Sequence, residues 1–177
     1  MSSVVISGDT SGAVTLTVPA VAGTNTVTIA AQTGTLNAAG PAFSAYNTSS
    51  QSVTASTFTK VTLDTEVFDT NSNFASSRFT PTVAGYYQLN GVLRATGTAM
   101  TGVIVSLYRS GSLYVYGGVI DGTTATSSQV VVSEIVYLNG STDYVELWGY
   151  ITATSPAFGY AANYVNCRFS GALVRGA

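Results

Sequence analysis

The sequence predicts an all-β sandwich or barrel, and three observations carry that expectation. Thr, Val, Tyr, Ile and Phe dominate, and no stretch holds a helical period built from helix-forming residues. Short alternating runs are separated by Gly, Ser, Thr and Asn clusters, the spacing of a sandwich rather than of alternating strand and helix. Charged residues make up only 8% of 177, against about 25% in an ordinary soluble domain. The 46% of hydrophobic residues is enough for a core, and so few charges suit a surface covered by copies of itself or by a larger assembly.

A boundary is expected near Gly40-Pro41, dividing an arm (1–40) from a globular part (41–177). No charge follows Asp9 until Lys60. Within the arm, Val14-Thr15-Leu16-Thr17-Val18 alternates strictly and stops at Pro19. After the turn Ala22-Gly23-Thr24-Asn25, the run Thr26-Val27-Thr28-Ile29 alternates again. The two runs read as a hairpin with an apolar face of Val14, Leu16, Val18, Val27 and Ile29. A lone two-stranded hairpin is marginal in water, so these five residues are expected to anchor on another protein.

In the globular part, strands are expected at 42–47, 58–63, 73–80, 85–94, 102–109, 112–119, 129–138, 143–151 and 164–174. Period-2 patterning turns Tyr87, Leu89 and Leu93 inward, and likewise Val103, Val105 and Leu107. The turn Arg109-Ser110-Gly111-Ser112 joins two strands as a hairpin. Val145, Leu147 and Ile151 share the inner side of the next strand, while Tyr144, Glu146, Trp148 and Tyr150 share the outer one. Aromatic residues facing away from a core must be covered, and Tyr, Trp and Arg are enriched at interface centres. Tyr144, Trp148 and Tyr150, with Tyr114 and Tyr116, are therefore the candidate subunit interface; burial under loops of the same chain is the alternative.

Missing residue types narrow the chemistry. The chain has no histidine and one cysteine, Cys167, which rules out a His-based triad, thiolate zinc sites and disulfides within the chain. Cys167 alternates with Phe169 and reads as a small core residue. Asp64, Glu66 and Asp69 are the one close carboxylate group, and they read as decoration at a loop edge rather than as an acid/base pair. Neither a phosphate loop nor a nucleophile elbow appears. No enzymatic activity, metal or cofactor is expected. With six basic and eight acidic residues and no basic stripe, neither nucleic acid nor a membrane surface is an expected partner. Met1–Ile6 lacks the basic start of a signal peptide, which predicts cytoplasmic synthesis.

Several segments of 41–177 resemble the C1q/TNF-like jelly roll. Pro41-Ala42-Phe43-Ser44-Ala45 is similar to that family's opening strand. Phe79-Thr80-Pro81-Thr82-Val83-Ala84-Gly85-Tyr86-Tyr87-Gln88-Leu89 resembles its most recognisable segment. Leu138-Asn139-Gly140-Ser141-Thr142-Asp143-Tyr144-Val145-Glu146-Leu147 is similar to a family hairpin, with two residues inserted. Phe169-Ser170-Gly171-Ala172-Leu173 resembles the family's close. The resemblance implies a ten-stranded jelly-roll sandwich forming compact homotrimers. The family's calcium sites do not carry over, because no acidic cluster here supplies a full oxygen set.

The arm, from Ser11 to Leu36, resembles short β segments ahead of C1q-like tips in tailed-phage virion proteins. Joined to such a domain, it implies a phage virion protein: a homotrimeric capsid decoration (cement) protein on the outer surface of the particle, with the major capsid protein as partner. The alternative is the receptor-binding tip of a tail fibre, with Asp121–Thr126 and Thr154–Tyr160 as loops presenting hydroxyl and aromatic groups to a glycan ligand.

Overall fold

The computed structural model describes residues 3–7, 13–17, 40–160 and 167–177. Every regular element among them is a strand, and the chain divides into two compact units, 1–34 and 35–177. In the first unit β1 (Ser3–Ser7) pairs antiparallel with β2 (Ala13–Thr17), from Ser3 opposite Thr17 to Ser7 opposite Ala13. The partner seen for the 14–18 run is thus Val4-Val5-Ile6, a run too short to read as a strand from sequence. The expected second strand, with Val27 and Ile29, lies outside the described residues, as does Val18.

The second unit contains β3 (Ala42–Tyr46), β4 (Gln51–Ser52), β5 (Thr59–Lys60), β6 (Thr65–Asp69), β7 (Phe74–Ala75), β8 (Arg78–Phe79), β9 (Gly85–Arg109), β10 (Ser112–Leu138), β11 (Val145–Phe158) and β12 (Arg168–Gly176). Two strands organise it. β9 and β10 pair from Gly85 opposite Leu138 to Arg109 opposite Ser112. Ser110 and Gly111 close this hairpin with φ of 49° and 83°, the left-handed pair that a two-residue turn requires.

Each of the two strands passes through both layers of a sandwich. In the first layer residues 85–92 of β9 pair with β12, which pairs with β3, which pairs with β6; residues 129–138 of β10 flank the other side. In the second layer residues 102–109 of β9 lie between β11 and residues 112–121 of β10, with β5 and β8 on the far edge of β11. The passage between layers carries register shifts near Asp121–Ser127 and positive φ at Ala99 and Gly122. Such irregularities bend a ladder without ending it. Segments expected as separate strands, 85–94 with 102–109 and 112–119 with 129–138, are therefore continuous. Asp121–Thr126 is strand rather than loop, and so is most of Thr154–Tyr160, since β11 extends to Phe158.

The inward alternation is as expected. Tyr87, Leu89 and Leu93 meet Val103, Val105, Leu107, Val145, Leu147 and Ile151 in one buried cluster. Phe43 stacks on Phe74 and Phe79, with ring centroids 5.0 and 4.3 Å away, and meets Phe169 edge-on at 5.0 Å. Cys167 is fully buried, and burial pushes its thiol up to about 11, so it is an unreactive core residue.

Sequence reading missed β6, because its exposed Glu66, Val67 and Phe68 do not alternate. The neighbouring carboxylates hold turns in place. Asp64 accepts from the Thr48 amide and hydroxyl (2.9 and 2.8 Å), and Asp69 accepts from the Phe74 amide (2.7 Å). No group of three or more possible metal ligands occurs among the described residues.

Candidate interaction site

Two outward faces carry clustered apolar surface that the core does not use. On the first layer, alternation along β10 points Val131, Ser133, Ile135 and Tyr137 away from the core. Across the ladder they stand opposite Val92, Asn90, Gln88 and Tyr86. Val131, Ile135, Tyr137 and Tyr86 are 60%, 50%, 39% and 44% exposed, and Val174 of β12 is 53% exposed. Tyr86 and Tyr137 touch, with ring centroids 5.4 Å apart. The polar groups among them satisfy one another: Ser133 donates to Asn90 Oδ1 (2.9 Å) and Gln88 Nε2 donates to Ser133 (3.0 Å). At one end of this face lies Arg168, opposite Val92, with its Nε buried and unpartnered among the described residues.

The second layer carries the rings singled out from sequence, and the structure sorts them. Trp148 stands opposite Ser106 of β9, which stands opposite Tyr116 of β10. Trp148 stacks on Tyr108 at 4.4 Å and 19° between ring planes. Phe58 closes over the group, 6.2 Å from Tyr108, 5.8 Å from Tyr116 and 5.1 Å from Tyr150. Tyr116, Trp148 and Tyr150 thus belong to one cluster. Tyr114 lies outside it, exposed on β10. Tyr144 sits apart, with the Arg78 guanidinium 3.7 Å above its ring. Phe58 and Tyr108 were not expected here. Phe58 opens the run expected as strand 58–63, on the alternate side from buried Val61 and Leu63, and Tyr108 is the outward residue of a strand read chiefly for its inner face.

Glu146 fixes the edge of the cluster. Arg78 binds its Oε1 through Nε and Nη2 (2.9 and 2.8 Å), Lys60 adds a contact at 3.3 Å, and Trp148 Nε1 donates to Oε2 at 3.1 Å. Its side chain is 4% exposed, while Lys60 and Arg78 remain 34% and 41% exposed. Burial alone pushes the Glu146 carboxyl up. The hydrogen bonds from Arg78 and Trp148, with the Lys60 charge, outweigh it and hold the group below its ordinary range.

A depressed carboxyl contributes stability above its unfolded pKa and loses it as pH falls through the folded one. Thermal midpoints should therefore not change through Glu146 above about pH 4.5, its ordinary value, and should fall below that. Glu146→Gln should flatten part of the acid-side decline. Melting curves of both proteins from pH 3 to 7 check this, and parallel curves would remove Glu146 from the account. Asp143 is lowered chiefly by its hydrogen bond from Arg109 (2.7 Å) and adds to the same acid side.

The comparisons with known proteins concern the fold. The structure is similar to the globular domain of zebrafish complement 1qA, with a TM-score of 0.54 and 16% identity, over 77% of this chain and 99% of that one. It is similar to murine APRIL with a TM-score of 0.55 and 11% identity, over 77% of this chain and all of that one. No family model and no curated protein matches the sequence. The described residues within 40–160 and 167–177 thus have the C1q/TNF jelly-roll fold.

Proposed function

We propose that this chain is a non-enzymatic structural protein that works as a homotrimer, with copies packed through the outer face of the first layer. One observation carries the reading: Tyr86, Val131, Ile135, Tyr137 and Val174 form an exposed apolar surface with self-satisfied polar groups among them. Water-facing area of this kind on a chain with 8% charged residues calls for a protein cover. An obligate contact buries about 2,000 Å² or more, and a sheet face supplies such area without side-chain rearrangement. Trp148, Tyr150 and Tyr144 are left out of this interface, because Phe58, Tyr108 and Arg78 of the same chain already cover part of them.

The more particular reading is a capsid decoration protein on the outside of a phage particle. Its support is the uncharged tract from Thr10 to Thr59 and the two-stranded β1–β2 ladder, which needs neighbouring protein to be stable. In this reading residues 1–40 dock on the major capsid protein, and Val14, Leu16, Val18, Val27 and Ile29 provide the apolar contacts. The reading as a fibre tip has its own support in the Phe58–Trp148 ring cluster, a surface built for stacking.

Light scattering of the full chain at micromolar concentration should give three times the 18.2 kDa chain mass, and a monomer would discard the trimer. Counting copies in purified particles separates the finer readings. Hundreds per particle mean decoration, a handful means a fibre tip, and none discards both.

A further inference from the structure

The ring cluster on the second layer does not depend on the trimer reading, and its geometry points to a ligand: the surface formed by Phe58, Tyr108, Tyr116, Trp148 and Tyr150 binds a pyranose that carries a carboxylate, with Lys60 and Arg78 holding the acid. Three features support this. The rings are packed against one another and Trp148 is pinned through Nε1 to Glu146, so little side-chain entropy remains to be lost on binding. Aromatic faces and sugar C–H faces are both flat and apolar, and Tyr116 at the rim is half exposed.

The two cations beside the rings share a single carboxylate, so the edge of the platform carries a net positive charge. Both Arg78 contacts go through Nε and Nη2, which leaves Nη1 without a hydrogen-bond partner among the described residues. Lys60 donates to Ser76 O and to Glu146, which leaves a third N–H. A guanidinium edge with open donors suits a planar carboxylate. Ser106 stands between Trp148 and Tyr116 on the same face, its hydroxyl sealed beneath the rings and without a partner among the described residues, so the ligand is held by ring faces and cations at the surface and not by this group.

The test uses the full chain and its single tryptophan, which lies in the site. Trigalacturonate, sialyllactose and glucuronic acid are titrated against maltotriose, a neutral control, with Trp148 fluorescence as readout. At least one acidic sugar should give a saturable change with affinity at least tenfold above maltotriose. Arg78→Gln should reduce that preference at least fivefold, and Phe58→Ala should abolish the response. Circular dichroism and the light-scattering mass of both variants should stay unchanged, which separates failure here from failure of the trimer. Absence of a saturable response to all three acids, an equal response to maltotriose, or full acid preference in Arg78→Gln overturns the proposal. Should Phe58→Ala misfold, Tyr116→Ala, at an exposed rim position, replaces it.

Discussion

Phe43→Ala is expected to be the most damaging single truncation in the chain. The ring is 1% exposed and touches Phe74, Phe79 and Phe169, so three other rings lose a stacking or edge contact at once. A buried Phe→Ala change ordinarily costs about 3–5 kcal/mol, the lost transfer energy plus the cavity. Here the cavity walls are strands. β3 is paired on both sides, with β12 and with β6, and cannot shift inward to fill the space. The cost should lie toward the upper end of that range, lowering the thermal midpoint by about 10 °C or more for a domain this size. Denaturant melts of the purified variant check it. A loss below about 1 kcal/mol would mean that these rings are packed far more loosely than their centroid distances imply.

The second large effect concerns assembly. If copies pack as proposed through the outer face of the first layer, Ile135→Lys should give a monomer while leaving the fold intact. The residue is half exposed on the outer face of β10, opposite Gln88, so a longer charged side chain meets no core atom. In a self-associated face the same charge would be buried in every copy, without a carboxylate opposite it across the ladder. An unpaired buried charge costs several kcal/mol per ion, and a closed trimer repeats that cost three times. Size-exclusion chromatography with light scattering should show monomer at concentrations where the parent is trimeric. The circular dichroism spectrum should be unchanged. Retention of the trimer would shift the interface to another face, the Trp148 side being the first to examine.

How much of this was legible in the residues differs by element. The inner face was: alternation alone placed Tyr87, Leu89, Leu93, Val103, Val105, Leu107, Val145, Leu147 and Ile151 inward, because period-2 patterning records one buried side directly. The Ser110-Gly111 turn was legible for a similar reason, since few residues tolerate its backbone. What the pattern does not encode is continuity. The long strands β9 and β10 look like four short ones, because their middle sections bend between layers, and polar Ser/Thr residues there resemble a loop.

β6 was missed through lack of alternation, and β1 because only three apolar residues mark it. The outer faces were half legible. Trp148 and Tyr150 stood out as rings opposite a buried face. Their neighbours Phe58 and Tyr108 come from 90 and 40 residues away along the chain, a pairing that only the β5–β11–β9 ladder brings about. The exposed strip of Val131, Ile135 and Tyr137 alternates as regularly as the core. In sequence it reads as a strand apolar on both sides, and nothing local says which side is wet.

One feature ties the two surfaces together. The hairpin of β9 and β10 presents Tyr86, Val131, Ile135 and Tyr137 at its open end and Tyr108 and Tyr116 near its closed end. The two strands stay paired on either side of the irregular stretch near Asp121–Ser127, so one hairpin joins both surfaces with no separate loop between them. A particle coat or fibre built from such units would carry tension through paired ribbon rather than through joints.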